Sequence, residues 1–332
     1  MGAPVRFTIR CWGARGTCPS PGPETVRYGG NTSCIEVRDP AGALIVLDAG
    51  TGIRGLGARM EKERDDSQVH VFLSHRHGDH VIGLPHFAPL LRHDRPVCLH
   101  CGNSDAAALE PFLHALLSPP IFPQLAGVTG RLQSCDWLTE SAEDGIWHVA
   151  HVGSTHVHRL QAHHPGGAAV LRIDDAMGHG IAYAPDNELA YHDTRASTVA
   201  WRAALANSIR GIPVLIHDAM YSADELPNHV GWGHSSADEA TRFALDAGVG
   251  TLVLFHHHPD RSDDGVDSLL ARCRDIAGDR LVVLGASEGM ELSIAAGVDV
   301  GITPHAATAP IPSAQSTPTS AAHPTRHHPA SR

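Results

Sequence analysis

The stretch Ser74-His75-Arg76-His77-Gly78-Asp79-His80 follows a mostly apolar run, Val69–Leu73. His75 and His77 alternate, so in an extended loop both imidazoles project to one side. Asp79 and His80 come next, at the expected start of a helix, and turn toward a second point nearby. Neutral imidazoles with carboxylates suit zinc or another borderline divalent ion, and two such groupings allow a dinuclear site. A polar surface loop is the competing reading, because 26 histidines raise the rate of accidental patterns. Repetition further along the chain argues against accident.

The same arrangement recurs after one apolar run after another. Ala43–Leu47 ends at Asp48, Ile181–Ala184 leads to Asp186, Ile212–Ile216 to His217 and Asp218, and Thr251–Phe255 to His256. Leu281–Leu284 leads to Gly285. Continuous runs rich in Val, Ile and Leu suit strands buried on both faces. Loops at one edge of a rigid sheet are where sites assemble, and five of these loops deliver His or Asp there. Core packing does not explain that. Two helices are also legible. Ser236-Ala-Asp-Glu239 forms a capping box opening a helix to Ala247, which Gly248 stops. Asp263 and Asp264 precede a second, with Val266, Leu269, Leu270 and Cys273 on its apolar face. The stretch Arg10 to Cys34, rich in Gly and Pro, reads as loop. The long connection from Asp94 to His163 contains an apolar helix, Ala106–Leu117, and reads as a lid over the site.

This ordered series resembles the metallo-β-lactamase-fold hydrolases. The matching elements are His75-x-His77-x-Asp79-His80, Asp48-Ala-Gly-Thr-Gly52 before it, His164-Pro-Gly-Gly after it, Asp186 past a strand, and Leu254-Phe255-His256. The resemblance implies an α/β fold, the four-layer αββα sandwich, as one domain over residues 1–302. It implies His75, His77 and His164 on one metal, Asp79, His80 and His256 on the other, and Asp186 bridging. Asp48 matches the family's buried acid, which supports the metal loop without ligating. His163 competes with His164, and His257 and His258 with His256. The family pattern favours His164, directly before Pro-Gly-Gly, and His256, straight off its strand. Two divalent ions are implied, zinc first and manganese as the second choice.

His217-Asp218-Ala-Met-Tyr221 and Gly231-Trp-Gly-His234-Ser235 resemble paired elements of the phosphodiesterase branch, which includes the tRNA 3′-end ribonuclease Z. There an acidic residue orients a histidine that protonates the leaving oxygen, which matches Asp218 and His234 here. With Asp79, these are the catalytic candidates. A loop-stabilising acid and a helix-entry histidine are the plain alternatives. Trp232 and Tyr221 either stack on a base or wedge the loop against the core. Gly13 to Thr17 and Tyr28 to Ser33 are similar to the branch's N-terminal region, whose amides and Asn31 either meet a phosphate or make a structural hairpin. The implied reaction is hydrolysis of a phosphodiester by an activated water. The basic arm with which ribonuclease Z grips tRNA has no counterpart, since Arg95, Arg131 and Arg159 are scattered. A small phosphodiester, such as a 3′,5′-cyclic nucleotide, therefore fits better than folded RNA. The rival readings are a tRNA 3′-endonuclease, a thioester or lactone hydrolase, and a histidine-rich metal-binding protein without activity. Gly78 replaces a bulkier residue of close relatives at the mouth of the pocket.

Composition sets the outer bounds. The chain has 332 residues, 42% hydrophobic, enough for a substantial core. A net charge of −11, with Lys62 the only lysine, disfavours a surface for long nucleic acid. No apolar run is long enough to span a membrane, and residues 1–10 lack the pattern of a secretory leader. Seven scattered cysteines suggest no disulfide framework and a cytoplasmic location, with Cys98 and Cys101 as ordinary thiols despite their spacing. A homodimer is compatible with these bounds. From Thr303 onward the sequence is Pro, Ala, Ser and Thr with scattered His, including His327 and His328, and reads as a disordered tail.

Overall fold

A computed structural model of the chain describes residues 5–92, 96–103, 106–123, 132–142, 145–295 and 300–303. The first half contributes β1 (Val5–Gly13), β2 (Cys34–Arg38), β3 (Leu44–Leu47), α1 (Ile53–Glu63) and β4 (Val69–Leu73). It continues with α2 (Gly78–Val81), α3 (Ala88–Leu91), β5 (Val97–Cys101), α4 (Ala106–Leu116) and β6 (Leu132–Ser134). The second half begins with β7 (Leu138–Ala142), β8 (Gly145–Val152), β9 (Thr155–Ala162), β10 (Ala168–Asp174) and β11 (Gly180–Ala184). It then alternates α5 (Ala196–Ser208), β12 (Val214–Asp218), α6 (Ala237–Asp246), β13 (Thr251–Phe255), α7 (Asp263–Ala277) and β14 (Val282–Gly285). Two last strands, β15 (Glu291–Ala295) and β16 (Val300–Thr303), return to the first sheet.

The strands make two eight-stranded sheets, ordered β16-β15-β1-β2-β3-β4-β5-β6 and β14-β13-β12-β11-β10-β9-β8-β7. One apolar cluster fills the space between them, with Phe7, Ile9, Phe72, Leu171, Tyr183 and Phe255 among its members. A second packs α1 and α4 on the outer face of the first sheet, and a third packs α5, α6 and α7 on that of the second. The result is the four-layer αββα sandwich. The apolar runs read as doubly buried strands are the parallel strands β3, β4 and β11 through β14. All but the edge strand β14, where Val282 is exposed, are covered by the other sheet on one face and by helices on the other. The α6 capping box is present, with the Ser236 side chain accepting from the Glu239 amide. Asp263 and Asp264 fill the first turn of α7 behind a Ser262 cap.

Two expectations are corrected. Arg10 to Gly13 is strand, because Phe7, Ile9 and Cys11 point inward while Arg10 and Trp12 are only partly covered, a period of two that the nearby glycines mask. Among the described residues, the segment from 94 to 163 is not a lid. Its described part supplies the last strands of one sheet and the first three of the other. Thr303 pairs with Glu291 as the end of β16. Residues 304–332 of the expected tail lie outside the described residues.

Gly83 marks where the loop after β3 meets the loop after β4. Its amide donates to the Ala49 carbonyl at 2.9 Å, and a Cβ added there would stand 2.0 Å from the Gly50 carbonyl oxygen. Both obstacles are backbone. Gly83→Ala is expected to destabilise the fold by about 1–3 kcal/mol, read as a lower urea midpoint at unchanged slope. An unaltered midpoint would show that the two loops part without cost.

Candidate metal centre

The expected acidic and imidazole groups gather at one edge of the two sheets, most of them straight off strands, Asp79 and His80 from α2 and His234 from the loop entering α6. Asp48 follows β3 with a left-handed backbone, φ 61°. Its carboxylate is fully buried and accepts from the Ser74 amide at 2.7 Å, the Ser74 hydroxyl at 2.9 Å, His80 Nδ1 at 2.7 Å and the Tyr183 hydroxyl at 2.8 Å. Since the Ser74 hydroxyl gives its hydrogen to Asp48, it accepts from His75 Nδ1 at 3.0 Å. Asp48 thereby fixes the tautomers of two histidines and leaves the Nε2 of each facing the site.

Three ring nitrogens converge first. His77 Nδ1 lies 2.9 Å from His75 Nε2 and 3.0 Å from His164 Nε2, and Asp186 Oδ2 lies 3.6 Å from each of those two. The second group is His80, His256 and Asp79. His80 Nε2 is 3.2 Å and His256 Nε2 3.1 Å from Asp79 Oδ2. The other oxygen of Asp186 reaches them at 3.0 and 3.2 Å, so its carboxylate spans both groups. All seven expected ligands are brought together. His163 is not among them; its ring lies flat on Trp201 at 3.4 Å. His257 turns inward and donates from Nε2 to the Ala286 carbonyl, and burial pushes its pKa down to about 3.

The residues fit cations. His80 Nε2 and Asp186 Oδ1 are buried without a hydrogen bond. One ligand atom each of His75, His77, His164 and Asp186 lies within 4.8 Å of the others. Burial, then the neighbouring imidazoles, holds His75 well below the usual histidine range, and burial also lowers His164. Both stay neutral, the form that ligates. Asp79 and Asp186 stay ionised: the surrounding imidazoles outweigh the cost of burial and lower both carboxyls.

Beside this cluster, His234 Nδ1 donates to Asp218 Oδ2 at 2.7 Å. Its ring stacks on His256 at 5.0 Å, and it offers a nitrogen within 4.8 Å of ligand atoms of Asp186 and His256. Burial pulls the His234 pKa down, but the carboxylate of Asp218 raises it to about 9. Asp218 is itself held by the amides of Met220 and Asn187. The loop before His234 depends on Gly233, at φ 86°, where a Cβ would stand 2.3 Å from His164 Nδ1. That nitrogen donates to the Gly233 carbonyl at 3.0 Å.

Some residues escaped the sequence reading. Glu188 accepts from the amides of Gly231 and Gly233 and so shapes the loop carrying His234. Asn187 accepts from the His163 amide and donates to His217. The run Asp186-Asn187-Glu188 just past a strand was the available signal. The opening loop acts through Thr17, whose amide donates to Asp79 at 2.8 Å, and through Gly16, where a Cβ would strike the His256 ring. Asn31 is not free for a phosphate, because its amide and side chain both donate to Glu288. Tyr221 is buried and stacks on His229, whereas Trp232 is 61% exposed and lines the cavity over the cluster. That cavity measures about 440 Å³ and includes Gly78, where a Cβ would meet nothing within 4 Å.

Asp48→Ala strands four buried donors at once. It is expected to destabilise the protein by about 3 kcal/mol or more and to empty the centre of metal, because His75 and His80 lose their orientation together. Normal metal content at a normal melting temperature would refute that positioning role.

The β-lactamase superfamily domain model matches residues 44–257. An uncharacterized protein of Mycobacterium tuberculosis is 30% identical over 237 residues, covering 70% of this chain and 76% of the relative. A ribonuclease Z of Bacteroides fragilis is 23% identical over 270 residues, covering 73% and 87%. The crystal structure of the metallo-β-lactamase-fold protein YhfI from Bacillus subtilis aligns with a TM-score of 0.62 at 19% identity, over 87% of this chain and 100% of the other. The chain thus belongs to the β-lactamase superfamily and is a metal-dependent hydrolase of the metallo-β-lactamase fold.

Proposed function

We propose that the protein is a phosphodiesterase holding two divalent cations, zinc in the first instance and manganese as the alternative, and that it hydrolyses a small phosphodiester such as a 3′,5′-cyclic nucleotide. The observation that carries this reading is the Asp218–His234 pair set against the cation cluster. His75, His77 and His164 would hold one cation, Asp79, His80 and His256 the other, and Asp186 both. Bound there, the cations supply positive charge for the phosphoryl oxygens and acidify an attacking water. His234 is placed to give its Nε2 proton to the departing alkoxide, while Asp218 keeps the ring oriented and stabilises its protonated form. Asp79 is restrained by the Thr17 amide, and so is the His256 ring by the close approach of Gly16. A cavity of about 440 Å³ with an exposed Trp232 at its wall suits a single nucleotide whose base stacks on the indole. Similarity to a ribonuclease Z supports the phosphodiester class. The net charge of −11 and the single lysine support a small substrate over folded RNA.

Metal analysis tests the two-cation assignment. Wild type is expected to hold about two ions per chain, His77→Ala to lose mainly one, and His256→Ala mainly the other. A wild-type stoichiometry near one, unchanged in His256→Ala, would remove the dinuclear centre.

The proton donor is tested with two leaving groups. His234→Ala should keep its metal yet lose about 10²–10⁴-fold in turnover of a cyclic nucleotide. It should lose little with bis-p-nitrophenyl phosphate, whose leaving group departs without a proton. Asp218→Asn should fall between wild type and His234→Ala on the poor leaving group. Equal slowing of both substrates by His234→Ala would mean that His234 binds the phosphate or shapes the loop instead. Turnover of thioesters or lactones with no phosphodiesterase activity would overturn the substrate class.

A further inference from the structure

Away from this centre, a second set of ligating side chains lies between the sheets. His70 on β4 and Cys98 on β5 are register partners, and His100, two residues beyond Cys98, faces the same way. Val97, Leu99 and Cys101 face the opposite side, into the cluster beneath the outer helices. Cys98 is bonded to Cys135, just past β6, with Cα atoms 6.1 Å apart. This corrects the reading of Cys98 as a free thiol. Spacing of three along a strand puts Cys98 and Cys101 on opposite faces, so the partner had to come from elsewhere in the chain.

The imidazoles here are incompletely accounted for. His100 is 5% exposed, yet no group meets hydrogen-bond geometry with either of its ring nitrogens, and Nδ1 of His70 is also without a partner. Buried polar atoms ordinarily have partners, and their absence calls for a reason. The two rings stack 6.1 Å apart, and His100 lies flat on Phe72 at 4.2 Å, so neither turns freely toward solvent. Burial, and then the neighbouring His70, lowers the His100 pKa to about 3 against a small opposing effect of the Cys135 backbone. Burial lowers His70 too. One ligand atom each from His70, Cys98 and His100 lies within 4.8 Å of the others. Ligand atoms around tetrahedral zinc stand about 3.3–3.8 Å apart, so these three need a small closure, and Cys135 has to turn in once its bond to Cys98 breaks.

We propose that His70, Cys98, His100 and Cys135 form a structural zinc site, separate from the hydrolytic centre, that assembles when the Cys98–Cys135 bond is reduced. A dithiol reductant supplies two electrons and two protons and becomes a disulfide, while the Cys98–Cys135 sulfur–sulfur bond breaks to give two thiols. Zinc then displaces one proton from each thiol to solvent, forming two bonds to sulfur and two to imidazole nitrogen. His70 stands five residues before His75 along an extended strand, roughly 16 Å away, so the sites share no ligand. The location gives the site its purpose. Cys135 lies where the chain crosses from β6 to β7, and Trp137 there donates to the Cys101 carbonyl at 2.9 Å. That crossing is pinned to β5 by a disulfide under oxidising conditions and by zinc under reducing ones.

Cobalt binding to the full-length protein, oxidised or treated with a phosphine reductant, tests this. The reduced protein should take about one more cobalt ion per chain and gain a thiolate-to-cobalt charge-transfer band, which ligation by nitrogen and oxygen alone does not give. Cys98→Ser should abolish the extra ion and the band while keeping hydrolysis of bis-p-nitrophenyl phosphate. His100→Ala retains the disulfide, so its oxidised form reports on folding. Once reduced, it should bind the extra cobalt at least about tenfold more weakly. Equal cobalt uptake by oxidised and reduced wild type would overturn the proposal, as would a charge-transfer band that persists in Cys98→Ser.

Discussion

A single buried carboxylate holds the centre together. Asp48 takes donors from the loop after β4 and from Tyr183 on the opposite sheet. It therefore joins the two sheets at the edge where the ligands gather. Its left-handed backbone turns the chain sharply enough for Gly50 to pass under Asp79, where a Cβ would meet the Asp79 carbonyl at 2.3 Å. Burial of an acid this deep is costly unless every lone pair is used. Here that requirement orients two histidines, one in each half of the cluster. The ligands on the other sheet, His164, Asp186 and His256, then close over a framework already set.

Charge explains how an acidic chain can attract an anion. The cluster places two carboxylates, Asp79 and Asp186, among imidazoles, of which burial keeps His75 and His164 below the usual histidine range. The two dications proposed above would outweigh those two carboxylates, since bound ions are the largest charges in such a site. The net charge of −11 is spread over the rest of the molecule and is screened within about 8–10 Å at ordinary ionic strength. On the proposed reading, selectivity for a small anion would follow from a positive focus without a positive surface.

Much of this was legible in the sequence, for a physical reason. Parallel strands covered on both faces must be continuously apolar, so β4 and β13 stand out with their bounds intact. The polar residues that end such runs lie at one sheet edge, which is why Asp48, His75, Asp186, Asp218 and His256 could be grouped before any fold was known. The antiparallel strands were harder. In β1 and β9 apolar residues alternate with Arg and His, and glycines or long loops surround them, so one strand read as loop and the other as part of a lid. Contacts between distant segments were invisible. Nothing local links Cys98 to Cys135, Asn31 to Glu288, or Glu188 to the Gly231 and Gly233 amides. Each depends on where two loops land after the sheets have formed.

The path of the chain also sets the order in which the molecule can be completed during synthesis. β1 leaves the ribosome long before β15, one of its two neighbours in the sheet, with Arg10 paired to Glu291. Until β15 has emerged, that edge of β1 presents unpaired amides and carbonyls beside Phe7 and Ile9. An open strand edge of this kind recruits other strands, including those of neighbouring nascent chains. Rapid burial against the second sheet shortens that exposure. Losing even the short stretch that encodes β15 leaves that edge of β1 permanently open.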